Sequence, residues 1–451
     1  MGHWIVTLEN ILGKMSDWVW GPPLLILLVG THLFLTIRLR FIQRYLWKAI
    51  KISFSRESEG AGDVSQFGAL TTALAATIGT GNIVGVATAV SSGGPGAVLW
   101  MWLTGVFGIA TKYAEALLSV KYRITTADGT MAGGPMYVLE RGMKQKWLGV
   151  VFAFLTAVAA FGIGNMVQAN SISSLVYETF QISPWITGAI MTVLTAVVIL
   201  GGIKSIARVC EGLIPFMAIF YVLGCAIILA MHWEQLPATV VLICKSAFTG
   251  QAAMGGFLGA GVREAMRFGV ARGLFSNESG LGSAPIVAAA AKTKNPVRQA
   301  LVSSTGTFWD TVVVCAMTGL VVVAAGDWTE GVKGAALTKS AFSHIPYVGP
   351  TVLIVGLLTF VFSTILGWSY YGEKAAEYLF GSRIIFPYRM LWVGAVFVGS
   401  VATLPMVWSF ADIANGLMAI PNLISLLALN GVIVAVTREY LWDGNLNKAS
   451  N

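Results

Sequence analysis

The chain has 451 residues, of which 56% are hydrophobic and only 11% charged. A soluble domain carries about 25% charged residues, so a water-soluble globular fold is excluded. Apolar runs of about 18 or more residues recur along the whole length, each long enough to cross hydrocarbon, and they lack the ten-residue polar–apolar alternation of barrel strands, which leaves an all-α polytopic membrane protein.

Eleven spans are expected, at about 20–37, 66–90, 97–120, 148–176, 184–202, 212–231, 252–274, 299–324, 348–372, 388–405 and 411–436. The first opens on Gly21, Pro22 and Pro23, is followed by no small-residue cleavage site and runs into a basic loop, so it reads as a retained helix rather than a signal peptide. Lys and Arg gather in loops 38–60, 121–147 and 263–298, at Lys204 and Arg208, around 374–389 and in the tail, all on one side of an eleven-span chain. The opposite loops keep Lys14, Lys245, Lys333 and Lys339. The excess of cytoplasmic Lys and Arg puts the N-terminus outside and the C-terminus inside the cell's inner (plasma) membrane. Topology thus accounts for the net charge of +8, and no nucleic-acid partner follows from it.

Span 2 is weakened at mid-depth by "AATIGTGNIVG" (75–85), three glycines, two threonines and an asparagine where unpaired backbone costs several kcal/mol per group. Such a break persists when something polar sits there: freed amides suit a carboxylate and freed carbonyls suit a hard cation. Span 3 carries Lys112 and, three residues on, Glu115, the spacing of a mutually neutralising helix pair. Span 4 carries Asn165, Gln168 and Asn170, which either join helices or face a polar substrate. Span 7 has a second glycine interruption, "MGGFLGAG" (Met254–Gly261), read either as a break or as close helix packing. Asp310 in span 8 is the deepest acid, open to a role as proton carrier or as a member of a polar cluster. Span 9 offers adjacent hydroxyls at Ser363 and Thr364, with Trp368 one turn on to wall a small pocket.

Interruptions at corresponding places of two five-span sets point to an inverted duplication with its site at mid-membrane. The expected divisions are 1–60 (extra span and basic loop), 61–232 and 233–440 (the two repeats) and 441–451 (tail). "GTGNIVG" has one residue too many for a dinucleotide fingerprint and follows no strand; "GLGSA" is not a nucleophile elbow. Four scattered cysteines and four scattered histidines give neither a metal-ligand spacing nor a disulfide framework, and no catalytic constellation is visible. On depth and polarity, Gln168, Gly255, Gly256 and Trp368 are candidate substrate contacts.

The stretches "GALTTALAATIGTGNIVGVATAVSSGGPGAVLWMW" (68–102), "GGPMYVLERG" (133–142), "FGIGNMVQANSI" (161–172), "GVARGLFSNESGLGSAP" (269–285) and "FSTILGWSYYGE" (362–373), in that order, resemble the alanine or glycine:cation symporters of bacteria and archaea. The resemblance implies a leucine-transporter-like fold of two inverted five-helix repeats plus one N-terminal span. It implies a sodium-coupled symporter, not an enzyme, importing small neutral amino acids (alanine, glycine) by alternating access, with sodium as coupling ion and no other cofactor. "IGTGN" (78–82) is similar to that fold's first break, so Gly79, Thr80 and Gly81 would receive the substrate, its carboxylate on amides near Thr80 and Gly81. Carbonyls of Ala75, Ile78 and Phe360 with the hydroxyls of Ser363 and Thr364 would hold sodium, and Thr77 and Asn82 match positions that help a second sodium. The "FSNESG" run (275–280), near the predicted inner end of span 7, is expected to gate or cap rather than touch substrate. The rival readings are a proton-coupled transporter with Asp310 or Glu115 as carrier and, from another class, a channel.

Overall fold

In hydrocarbon every backbone N–H and C=O must be paired within its own segment, and the apolar runs accordingly become helices. The computed structural model describes residues 2–55, 60–249, 261–332, 334–402 and 405–449. Among them, seven helices are long and apolar enough to span a bilayer: Asn10–Arg38, Lys146–Phe180, Gly202–Met231, Pro296–Ala325, Val348–Phe380, Ser382–Val401 and Ala411–Ala428. An eighth is the pair Gln66–Thr77 and Gly81–Gly93, bent by 53° at the predicted break. Gly96–Lys121, which carries Lys112 and Glu115, and the shorter Pro184–Ile199 occupy two further expected spans. The strands described are two residues each, a hairpin pairing Ile124 with Ala132 and Thr125 with Met131.

Burial separates core helices from peripheral ones. The second half of Val348–Phe380 is enclosed almost continuously from Phe360 to Glu377, and Gly96–Lys121 is buried on all sides from Gly108 to Val120. By contrast Phe216, Ile219, Leu223 and Ile227 line one exposed flank of Gly202–Met231, and Phe386 and Leu391 another on Ser382–Val401. A soluble protein would hide such residues; here they form the lipid-facing surface.

The two ends of the bundle are set by contacts far apart in sequence. At one end Arg38 donates to Asn430 Oδ1 (3.2 Å), and Arg123 grips the carbonyls of Ala61, Ala289 and Ala291, all at 2.8 Å. At the other, Trp20 Nε1 donates to the Asp412 carbonyl (3.0 Å) and Arg267 pairs with Asp17 (3.2 Å). This corrects the expected seventh span. The helix Val262–Asn277 starts at the Asp17–Asp412 end and runs inward, so Arg263, Arg267 and Arg272 belong there, not with the basic loops. Lys292, whose N–H donates to Val64 O (2.8 Å), and Arg298, bonded to Asn447 (3.1 Å), do lie at the Arg123 end. The acids at 17 and 412 explain why a basic helix start is tolerated on the side otherwise poor in cations.

Candidate functional site

The first half-helix, Gln66–Thr77, is capped by Ser65, whose Oγ accepts from the Gly68 N–H (2.8 Å) and donates to Glu211 Oε1 (2.7 Å). It stops where Ile78 turns extended (φ −78°, ψ 94°), and the chain becomes helical again at Gly81. Asn82 folds back over the gap: its Oδ1 accepts from the Gly79 N–H at 2.8 Å. The Gly79 amide, expected near a substrate carboxylate, is therefore already bonded. Gly79 also has a steric reason to be glycine, since a Cβ there would lie 2.5 Å from Thr364 Oγ1.

Opposite the break, the long helix Val348–Phe380 presents its paired hydroxyls. Ser363 Oγ lies 3.3 Å from Ala75 O and 2.8 Å from Phe360 O. Thr364 Oγ1 lies 3.3 Å from Ile78 O and 3.0 Å from Phe360 O. The structure thus brings together all five oxygens expected around sodium, with Ala75, Ile78, Phe360 and Ser363 wholly buried and Thr364 almost so. They are three carbonyls and two hydroxyls, with no carboxylate among them. A neutral all-oxygen set suits a hard monovalent cation, whereas Ca²⁺ and Mg²⁺ sites recruit carboxylates.

Gln168 and Trp368 close on the same break. Gln168 Nε2 donates to Ile163 O (2.9 Å) and reaches Thr80 Oγ1 (3.4 Å); its buried Oε1 has no hydrogen-bond partner among the described residues. Trp368 is buried one turn beyond Thr364, against Gly164, where a side chain would collide with its Cβ and ring. Its Nε1 donates to Glu278 Oε1 at 3.0 Å. Asn165 and Asn170 take the helix-joining alternative, donating to the carbonyls of Trp392 and of Gly399 and Ala402. Gly255 and Gly256 lie outside the described residues.

"MGGFLGAG" (254–261) lies, but for Gly261, outside the described residues; among the described ones a second break faces the first further along the chain. The helix Val262–Asn277 ends at Glu278, and the chain unwinds through Glu278, Gly280 and Gly282, all at positive φ, before a short turn of helix at Pro285–Ala288. Phe275 and Ser276 abut Gly81, where a Cβ would sit 3.3 and 3.4 Å from them. "FSNESG" therefore lies beside the first break at mid-bundle, not at an inner end. Ser276 Oγ donates to Asp310 Oδ2 (3.0 Å), Thr311 Oγ1 does so at 2.6 Å, and Asn82 Nδ2 donates to Asp310 Oδ1 at 2.7 Å. Of the two roles open to Asp310, the structure shows it in a polar cluster. The Thr77 hydroxyl bonds to Leu74 O in its own helix, while Asn82 bonds to the Gly79 N–H and to Asp310. Lys112 and Glu115 do not pair. Glu115 Oε1 instead accepts from the N–H groups of Gly280 (3.0 Å) and Gly282 (3.1 Å) and from Asn422 (2.7 Å), giving the unwound amides of the second break the acceptor they would otherwise lack. Ser276 and Glu278 are the site residues that sequence reading did not assign; Ser276 reaches Asp310 34 positions away and Glu278 reaches Trp368 90 positions away.

The model of the sodium:alanine symporter family matches residues 5–450. The chain belongs to the sodium:alanine symporter family. Among its relatives, the sodium/alanine symporter AgcS of Methanococcus maripaludis is 52% identical over 442 residues, covering 96% of this chain and 97% of the relative. The probable sodium/glutamine symporter GlnT of Bacillus subtilis is 35% identical, covering 96% and 91%. The symporter fold is also similar to the crystal structure of MhsT in complex with L-phenylalanine, with a TM-score of 0.55 at 15% identity over 86% of this chain and 91% of that one. This family member is a polytopic membrane transporter and not an enzyme.

Proposed function

We propose that the chain is a sodium-coupled symporter that imports small neutral amino acids, alanine and glycine, by alternating access. The observation that carries the reading is the convergence of Ala75 O, Ile78 O, Phe360 O, Ser363 Oγ and Thr364 Oγ1 at the break, a donor set chemically fitted to sodium. The relatives, a sodium/alanine symporter and a probable sodium/glutamine symporter, support the same class of substrate and ion.

The amino acid sits against Gly79–Gly81, with its carboxylate on amides near Thr80 and Gly81. The unpartnered Gln168 Oε1, 3.6 Å from where a Gly79 Cβ would be, is placed to accept from the substrate ammonium. Trp368 walls the side-chain end and favours small residues. A second sodium, if the transport cycle carries one, uses Asn82 with Asp310, not Asn82 with Thr77. The two breaks, at 78–81 and 278–283, belong to the two inverted repeats, and one helix bundle rocks against the other to expose them alternately. The C-terminus and the Arg123 end face the cytoplasm.

The energetics are sufficient. One charge crossing about 100 mV supplies roughly 2.3 kcal/mol and a tenfold sodium gradient about 1.4 kcal/mol, which together sustain an alanine gradient of several hundredfold. The test is radiolabelled alanine uptake into proteoliposomes under inward sodium, potassium or proton gradients. Uptake driven by sodium alone is the expected result. Uptake that follows pH in any salt would overturn the sodium site and move the coupling to Asp310.

A further inference from the structure

Glu278 is an unusual residue for its position. It is 3% exposed, forms no salt bridge among the described residues, and ends the helix Val262–Asn277 in the left-handed conformation (φ +56°, ψ 19°) that favours glycine or asparagine. A buried carboxylate and a strained backbone persist together only when the surroundings use them. Both oxygens are in use. Oε2 accepts from Ser283 Oγ at 2.5 Å, closing the unwound turn on itself, and Oε1 accepts from Trp368 Nε1 at 3.0 Å, across 90 positions of chain. Trp368 is thus held at two points: its base against Gly164 and its indole tip by Glu278.

We propose that Glu278 is a positioning residue that sets the substrate size limit by fixing the indole of Trp368 over the amino-acid pocket. The proposal rests on the transporter reading above and on Trp368 as the pocket wall. The ring can turn about its side-chain torsions, and of its atoms only Nε1 can donate a hydrogen bond. A carboxylate oxygen anchored by the second break therefore ties the shape of the pocket to the state of that break. Because Trp368 follows Thr364 by one helical turn, the same tie reaches the sodium ligands.

The experiment measures alanine KM, maximal uptake rate and the alanine-to-leucine uptake ratio in proteoliposomes for E278A, E278Q, W368F and the double variant E278A/W368F. E278A is expected to raise the alanine KM by about five- to a hundredfold, the range for losing one buried hydrogen bond, and to let leucine in. W368F, which keeps a ring but loses the N–H, is expected to do the same, and the double variant to be no worse than W368F alone. E278Q still offers an acceptor oxygen to the indole and is expected to stay near wild type in both KM and ratio. Wild-type KM and selectivity in E278A, or E278Q as impaired as E278A, would overturn the proposal, the second by showing that charge and not hydrogen bonding matters. Should E278A not fold, W368F still decides. Wild-type behaviour of W368F would remove Trp368 from the pocket wall and so defeat that part of the functional reading as well; a shift in W368F with none in E278A defeats the positioning role alone.

Discussion

Replacing Thr364 by alanine tests the ion site most directly. The substitution deletes one of five oxygens and leaves the Ile78 carbonyl, which is wholly buried, without the hydroxyl now 3.3 Å from it. The Phe360 carbonyl keeps Ser363 Oγ at 2.8 Å, so the damage falls on one side of the site. Losing a buried ligand of this kind costs about 1–3 kcal/mol, which is about 5- to 150-fold in sodium affinity. The assay is alanine uptake into proteoliposomes at fixed alanine and rising external sodium, read as the sodium concentration giving half-maximal uptake. That concentration should rise within the stated range in Thr364→Ala and stay near wild type in Thr364→Ser, which retains the hydroxyl. Alanine KM measured at saturating sodium should change much less. An unchanged sodium requirement in Thr364→Ala would refute the site.

Gly79→Ala places a methyl 2.5 Å from Thr364 Oγ1, so the sodium requirement should rise at least as far as in Thr364→Ala; the same uptake curve measures it. Asp310→Ala strips the acceptor shared by Asn82, Ser276 and Thr311, at about 1–3 kcal/mol per buried group left unpaired. Its melting temperature in detergent should fall, while any remaining uptake should still require sodium; residual uptake driven by pH would contradict the cluster role. Arg389 grips Glu373 at 2.6 and 2.9 Å with both groups mostly buried, and Arg389→Gln should destabilise by about 3–5 kcal/mol by stranding the carboxylate. The double variant Arg389→Met/Glu373→Met should recover most of the lost melting temperature, and equal loss in single and double variants would show that packing rather than charge is at stake.

The first break was legible because its signal is local. Glycine, threonine and asparagine inside an apolar run break the helix by their own backbone preferences, and Ser363 and Thr364 are adjacent in sequence, so one short window carried each half of the proposed ion site. The unwinding at "NESGLGSA" was not legible for the complementary reason: it runs through Glu278, at a positive φ that its residue type disfavours, held by Ser283 five residues on and by Trp368 90 positions away. The Lys112–Glu115 spacing told less than expected: the two charges share the buried core, but Glu115 Oε1 bonds directly to the amides of Gly280 and Gly282, which lie far along the chain. The basic residues of Val262–Asn277 were assigned to the wrong end because the expected span, 252–274, put them in its second half, whereas they sit along a helix that starts at Val262.

These departures have a common direction. Three of the buried acids, Glu115, Glu278 and Asp310, do not go to the candidate cation site; they go to the second break and the residues around it, while Asp327, Glu373 and Glu377 pair with His344, Arg389 and Lys374. Glu115 holds its amides, Glu278 closes its turn, and Asp310 binds Ser276 at its start and Asn82 from the first break. The five oxygens at Ile78 and Thr364 are left neutral. A carboxylate there would strengthen cation binding and favour divalent ions, but a coupling ion has to leave on the far side in every cycle, and tight binding would slow its release. Keeping charge on the second break and dipoles on the first lets the acids fix the geometry of the unwound backbone, while the proposed ion site offers only neutral groups from which an ion can leave.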